Sequence, residues 1–121
     1  MFKAKEIIEA DGKREEIELE VSDNSLRVVV SYLSLVVTRE RVYENGMPKC
    51  YKYTIIFDSR LDDTEVHLRA EVSDYAFTSF PWLGMPASTL RRIVAEKTLR
   101  GFIGEVVKEL ARLLVRDFSY L

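Results

Sequence analysis

The dipeptide Asp11-Gly12 sits between two stretches, Phe2–Ala10 and Lys13–Val21, whose ends away from the dipeptide alternate charged with apolar or small residues. Glycine enters positive φ freely and aspartate tolerates it, so the pair suits the type I′ turn of a two-residue β-hairpin. Placing the turn there sets the register. Lys3 then faces Glu20, Lys5 faces Glu18 and Glu9 faces Arg14, all on one side of the hairpin. On the other side Phe2 meets Val21, Ala4 meets Leu19, and Glu6 lies beside Ile17. Such cross-strand pairs contribute roughly 0.2–1 kcal/mol each. A slip by one residue would turn Ile17, Leu19 and Val21 outward, so the apolar pattern selects the same pairing as the charges.

Ser22-Asp23-Asn24-Ser25 reads as the next turn. Residues 26–43, rich in valine, read as one long strand with a bulge or bend near Ser31–Ser34. Asn45-Gly46 then gives a second hairpin turn. Its register predicts Val36 opposite Ile55, Thr38 opposite Tyr53 and Glu40 opposite Tyr51. It also sets Leu35 by Ile56, Val37 by Thr54 and Cys50 opposite Arg41. Both faces of this hairpin are apolar at its middle, and a helix covers only one of them. Arg60–Asp63 is a loop. Residues 64–73 alternate again, with Val66, Leu68, Ala70 and Val72 inward and Glu65, His67, Arg69 and Glu71 outward.

The pattern changes after Asp74. Tyr75, Phe77, Phe80, Trp82, Leu83 and Met85 crowd together among Pro81, Gly84 and Pro86. This segment admits three readings: ordinary core, a wall over an apolar ligand, or an exposed docking patch. From Ala87 the spacing is helical, with Pro86 suited to the first turn and Ser88 or Thr89 to the cap. Leu99, Phe102, Ile103, Val106, Val107, Leu110, Leu113 and Leu114 form one stripe at 100° per residue. Leu90, Ile93 and Val94 fall on nearly the opposite side. Gly101 and Gly104 mark the phase change, so a kink there or a separate partner for the first turns is expected. No repeat or linker divides the chain, and one domain over residues 1–121 follows, mainly sheet over 1–80 and helix over 86–118. The fold class is α+β: five or six antiparallel strands packed on one long C-terminal helix.

Composition removes several functions. One cysteine, Cys50, and one histidine, His67, rule out a disulfide framework and a Cys-rich or His-pair metal site. The net charge of −2 argues against a nucleic-acid binder held by electrostatics. No apolar run is long enough for a transmembrane helix. The first residues lack a signal-peptide core, which makes the cytoplasm the expected compartment. The chain has no glutamine and only Asn24 and Asn45, a thermophile-like bias. No phosphate-binding glycine motif is present, and Gly101-Phe102-Ile103-Gly104 lies within a helical pattern rather than between helices. No cofactor is implied.

The remaining candidates each carry two readings. His67 is a general base or a solvated surface residue. Cys50 is a nucleophile without a nearby histidine, or inert. Arg92 and Glu96 share the stripe of Leu99 and Ile103, so they are either exposed near the helix start or a head-group anchor at a pocket mouth. Glu6, inward on the first hairpin, is an edge-protecting charge or a polar contact inside a cavity.

The order of elements, with Leu90–Leu114 and in particular Thr98-Leu99-Arg100-Gly101-Phe102-Ile103-Gly104-Glu105-Val106-Val107 as the closing helix, resembles the START-like (SRPBCC) helix-grip superfamily. A small archaeal member is the nearest idea. In that superfamily a curved sheet wraps the helix and leaves an apolar cavity for lipids, fatty acids or other hydrophobic molecules. The chain departs from it by lacking the two short helices after the first strand, because Asp11-Gly12 turns directly into a second strand. The resemblance implies a non-enzymatic binder of a hydrophobic small molecule. No family motif carries a ligand-binding residue over; from the apolar pattern of this chain itself, the wall would come from Val36, Tyr53, Ile55, Leu68, Phe77, Phe80, Trp82, Phe102 and Val106, with Arg92 and Glu96 at the mouth. The alternative is a homodimeric interaction module built on the surplus apolar surface.

Overall fold

The computed structural model describes residues 1–118. Six strands run in chain order, β1 (Phe2–Ala10), β2 (Lys13–Val21), β3 (Ser25–Val30), β4 (Leu33–Glu44), β5 (Met47–Leu61) and β6 (Thr64–Asp74), followed by a helix, α1 (Ala87–Phe118). Each strand pairs antiparallel with its sequence neighbours, giving an open six-stranded meander. The α+β architecture of an antiparallel sheet with one long C-terminal helix is therefore as expected. The helix lies against the edge strands β1 and β6. One core fills the space between, including Leu19, Leu26, Val28, Val37, Tyr53, Phe102 and Val106.

The first hairpin has the expected register. Lys3 pairs with Glu20, Lys5 with Glu18 and Glu9 with Arg14, and Lys5 Nζ reaches Glu18 Oε1 at 3.1 Å. Asp11 and Gly12 both take positive φ, 52° and 72°, as a type I′ turn requires.

Two pairings differ from expectation. Residues 26–43 form two strands, not one bent strand, with a tight turn at Ser31-Tyr32 where Ser31 has φ 49°. Side-chain parity explains this. Leu26 and Val28 are buried at even positions, whereas Leu35 and Val37 are buried at odd ones. A hairpin that pairs Leu26 with Val37 and Val28 with Leu35 puts all of them on the same face.

The β4–β5 register is displaced by one residue. A bulge between Val42 and Tyr43 leaves Val36 opposite Ile56, Thr38 opposite Thr54, Glu40 opposite Lys52, Leu35 opposite Phe57 and Cys50 opposite Val42. The turn at Asn45-Gly46 is as expected, with both residues at positive φ. The extra residue falls beside Pro48, which has no N–H for the ladder. The displacement sets Val37 against Ile55, so two buried side chains meet instead of Val37 facing Thr54.

Helix α1 is interrupted at Thr98, whose φ of 67° and ψ of 160° are not helical. The break lies three residues ahead of Gly101, earlier than the glycine pair suggested. Thr98 Oγ1 accepts the Gly101 N–H at 3.2 Å, an N-cap for the second segment. Lys97 and Glu105 form an ion pair across the break. The change of direction lets Leu90, Leu99, Phe102, Val106, Leu110 and Leu113 all bury in one core. At the helix start the Pro86 carbonyl accepts the N–H groups of Thr89 at 3.0 Å and Leu90 at 3.2 Å, so Ser88 and Thr89 lie inside the first turn.

Candidate functional site

The aromatic connection folds into the core. Ring contacts run from the sheet to the helix, with centroid distances of 5.2 Å for Tyr53–Phe80, 6.0 Å for Phe80–Trp82 and 5.4 Å for Trp82–Phe102. Tyr53, Phe80, Phe102 and Val106 are fully buried, and Ile55 and Trp82 nearly so. Phe77 is half-buried against Tyr51. These residues of the expected wall thus come together as packed neighbours. Val36 lies on the opposite, outer face between Arg27 and Ile56. Leu68 is 61% exposed. Arg92 and Glu96 are solvent-exposed on the first helical segment.

Polar groups pin the connection in place. Buried Asp74 accepts the N–H groups of Ala76 at 3.1 Å and Ser79 at 2.8 Å. The Tyr53 hydroxyl donates to the Ser79 carbonyl, and burial pushes its pKa up to about 12. Arg39 donates to the Asp23 carbonyl at 3.1 Å and to the Leu83 carbonyl at 3.2 Å. Its guanidinium also lies 4.5 Å above the Tyr51 ring. Arg41 donates to the Tyr51 hydroxyl at 2.7 Å. This arginine–aromatic cluster ties the β2–β3 turn, β4 and the connection together. Sequence reasoning passed over Arg39 and Asp74, although Arg39 shares the core-facing parity of Leu35 and Val37 and so carried a signal.

The least covered part of the sheet is β6 and the neighbouring hairpin ends. Val72 and Asp74 are buried, but Val66 is 40% exposed and Leu68, opposite half-buried Phe57, more so. The outer side of β6 alternates in charge. His67 Nδ1 lies 2.7 Å from Asp58 Oδ1 and Nε2 lies 3.4 Å from Glu65 Oε2. These contacts, Asp58 first and then Glu65, raise the His67 pKa above its ordinary value. Glu65 also meets Arg60 at 3.4 Å, and Glu71 meets Arg69 at 3.2 Å and Lys52 at 3.4 Å.

Because the β3–β4 hairpin is shorter than its neighbours, a cleft of about 1130 Å³ opens between the tips of the β1–β2 and β5–β6 hairpins. Exposed Tyr32 and Leu61 line it beside Arg14, Glu16, Glu18 and Arg60. A second cleft of about 410 Å³ holds Ser34, Asp58 and His67. The cross-strand order there is Ser34, Asp58, His67, and both ring nitrogens of His67 are engaged by carboxylates, so Ser34 is not placed for activation by the imidazole. Cys50 is buried opposite Val42. Glu6 is half-exposed on the inner side of edge strand β1.

Among the described residues no group of three or more His, Cys, Asp or Glu side chains is arranged to hold a metal ion, and no helix is long and apolar enough to cross a membrane. No family model, curated protein or solved structure matches the chain.

Proposed function

We propose that the chain is a small interaction module that associates with a second copy of itself through the uncovered edge of its sheet. The observation that carries this reading is the position of its exposed apolar residues. Phe80, Trp82 and Leu83 of the aromatic connection and Leu90 of the first helical segment are taken up by the core, whereas Val66 and Leu68 stand exposed together on a strand with an unpaired edge. Such an edge is a template for another strand. The lone, buried Cys50 fits a cytoplasmic setting. Sedimentation equilibrium across roughly 1–200 μM tests the proposal, a range that brackets micromolar association. A concentration-dependent dimer is expected, and a monomer throughout would overturn it.

A second reading keeps the START-like frame and a hydrophobic ligand. It is favoured by the same open end of the inner face, where Leu68 lies beside half-buried Phe57. Native mass spectrometry separates the two: a lipid-sized adduct on a monomer supports the ligand, and an adduct-free dimer supports self-association.

A further inference from the structure

We propose that two copies join through β6 as antiparallel neighbours about a two-fold axis at His67, giving a continuous twelve-stranded sheet; this rests on the self-association reading above.

The open meander has two free edges, β1 and β6. Strand β1 carries Glu6 on its inner side, a charge that a continuing sheet would have to bury. On β6 the inner side from residue 66 to 72 is Val66, Leu68, Ala70 and Val72, without a charge.

A two-fold axis perpendicular to the sheet pairs residues of like parity, which leaves few registers. With the axis at Leu68, His67 faces Arg69 and Glu65 faces Glu71 of the second copy, both unfavourable. With the axis at Arg69, the two Arg69 side chains oppose each other. With the axis at Ala70, the charges match, but exposed Leu68 is set against Val72, which already lies in the core. With the axis at His67, Glu65 of each copy faces Arg69 of the other, and Val66 of each faces Leu68 of the other. This register therefore satisfies the charges on the outer side and covers the two exposed apolar side chains on the inner side. Its unfavourable contacts are two. The two His67 rings oppose each other, each held by Asp58 at 2.7 Å and Glu65 at 3.4 Å of its own copy, carboxylates that offset their charge. Asp63 faces Glu71 at the margin, where Glu71 keeps Lys52 at 3.4 Å and Arg69 at 3.2 Å.

Charge exchange in the full-length chain tests the register. Glu65→Arg and Arg69→Glu each place like charges across the interface twice. Each is expected to weaken the dimer by about tenfold, equivalent to ~1.4 kcal/mol. The double variant restores the opposite-charge pairs and is expected to return within about threefold of the parent. Circular dichroism checks that every variant is folded. Independently, His67→Cys is expected to cross-link to itself with a short thiol reagent, whereas Glu65→Cys faces Arg69 of the second copy and is not. A parent dimer whose single and double charge variants behave alike, or in which Glu65→Cys links as readily as His67→Cys, overturns the register while self-association stands. A parent that stays monomeric overturns both.

Discussion

The break at Thr98 makes a prediction of sign. Its φ of 67° and ψ of 160° fall in a region that residues with a Cβ rarely enter, at a cost of order 1–3 kcal/mol. The side chain offsets part of that cost through the cap to the Gly101 N–H. Thr98→Ala keeps the backbone penalty and loses the cap, so it should destabilise the protein by about 1 kcal/mol. Thr98→Gly loses the cap too, but glycine at an N-cap costs only a few tenths of a kcal/mol relative to threonine, and the penalty on the Cβ disappears. The glycine variant should therefore be more stable than the alanine variant by at least about 1 kcal/mol, which is roughly 4 °C in melting midpoint. Within a continuous helix the order is reversed, with alanine better by about 1 kcal/mol. Gly104→Ala supplies that calibration in the same molecule. Gly104 lies inside the second segment and a Cβ there meets nothing within 4 Å, so this variant should gain up to about 1 kcal/mol. Thermal and urea unfolding followed by circular dichroism give the ranking. Alanine above glycine at position 98 would refute the break.

Three further outcomes follow from the packing and the charges. Phe102 is fully buried against Trp82, so Phe102→Ala should cost about 3–5 kcal/mol and shift the tryptophan emission to the red. Tyr53 has a folded pKa raised to about 12 from 10.0. A raised folded pKa means the unfolded chain loses its proton first, so stability is intact below pH 10 and falls by of order 1–3 kcal/mol between pH 10 and 12. Tyr53→Phe should flatten that decline and cost about 1 kcal/mol at neutral pH for the lost hydrogen bond, as read by urea unfolding. The His67 pKa is raised chiefly by Asp58, so its contribution to stability is full below pH ~6.5 and fades as pH rises through the folded value. Asp58→Asn should bring the pKa down in an NMR titration of the imidazole, and no downward movement would exclude Asp58 as its main partner.

Local rules served well where several independent cues agree. The register of β1 and β2 was readable because turn chemistry, charge pairing and apolar alternation all select the same alignment. The β4–β5 register was not, because turn chemistry alone was used to extend the pairing past Pro48. The burial of Val37 and Ile55 on one face was the competing constraint. The β3–β4 turn was hidden for a related reason. Ser31-Tyr32 lacks glycine, asparagine and aspartate, and only the switch in parity from Val28 to Leu35 signals a reversal. The helix was legible in extent, but its break was not. Glycines attract attention as breakers, whereas the interruption sits at a threonine that caps the segment containing them.

These misplacements bear directly on the site. A straight helix leaves Leu90, Ile93 and Val94 facing away from the core, and the segment from Tyr75 to Met85 then adds more unspent apolar surface. Phe80, Trp82, Leu83 and Leu90 become core, with Met85, Ile93 and Val94 packed against it, once the chain turns at Thr98 and the connection takes positive φ at Phe77, Phe80 and Gly84. Besides single exposed side chains such as Ile7 on β1, the sheet keeps two apolar clusters outside the core. On the outer face Val29, Val36 and Ile56 are each half-buried and flanked by Arg27 and Arg69, so that patch is partly screened. On β6, Val66 and Leu68 have no neighbour on their free side. A strand edge also presents unpaired backbone groups, which the outer patch does not. Apolar exposure and backbone donors and acceptors coincide only where a further strand can satisfy both. The same strand bears Glu65, His67, Arg69 and Glu71 in alternation on its outer side. That coincidence is the reason the proposed self-association is assigned to the β6 edge rather than to the sheet–helix interior.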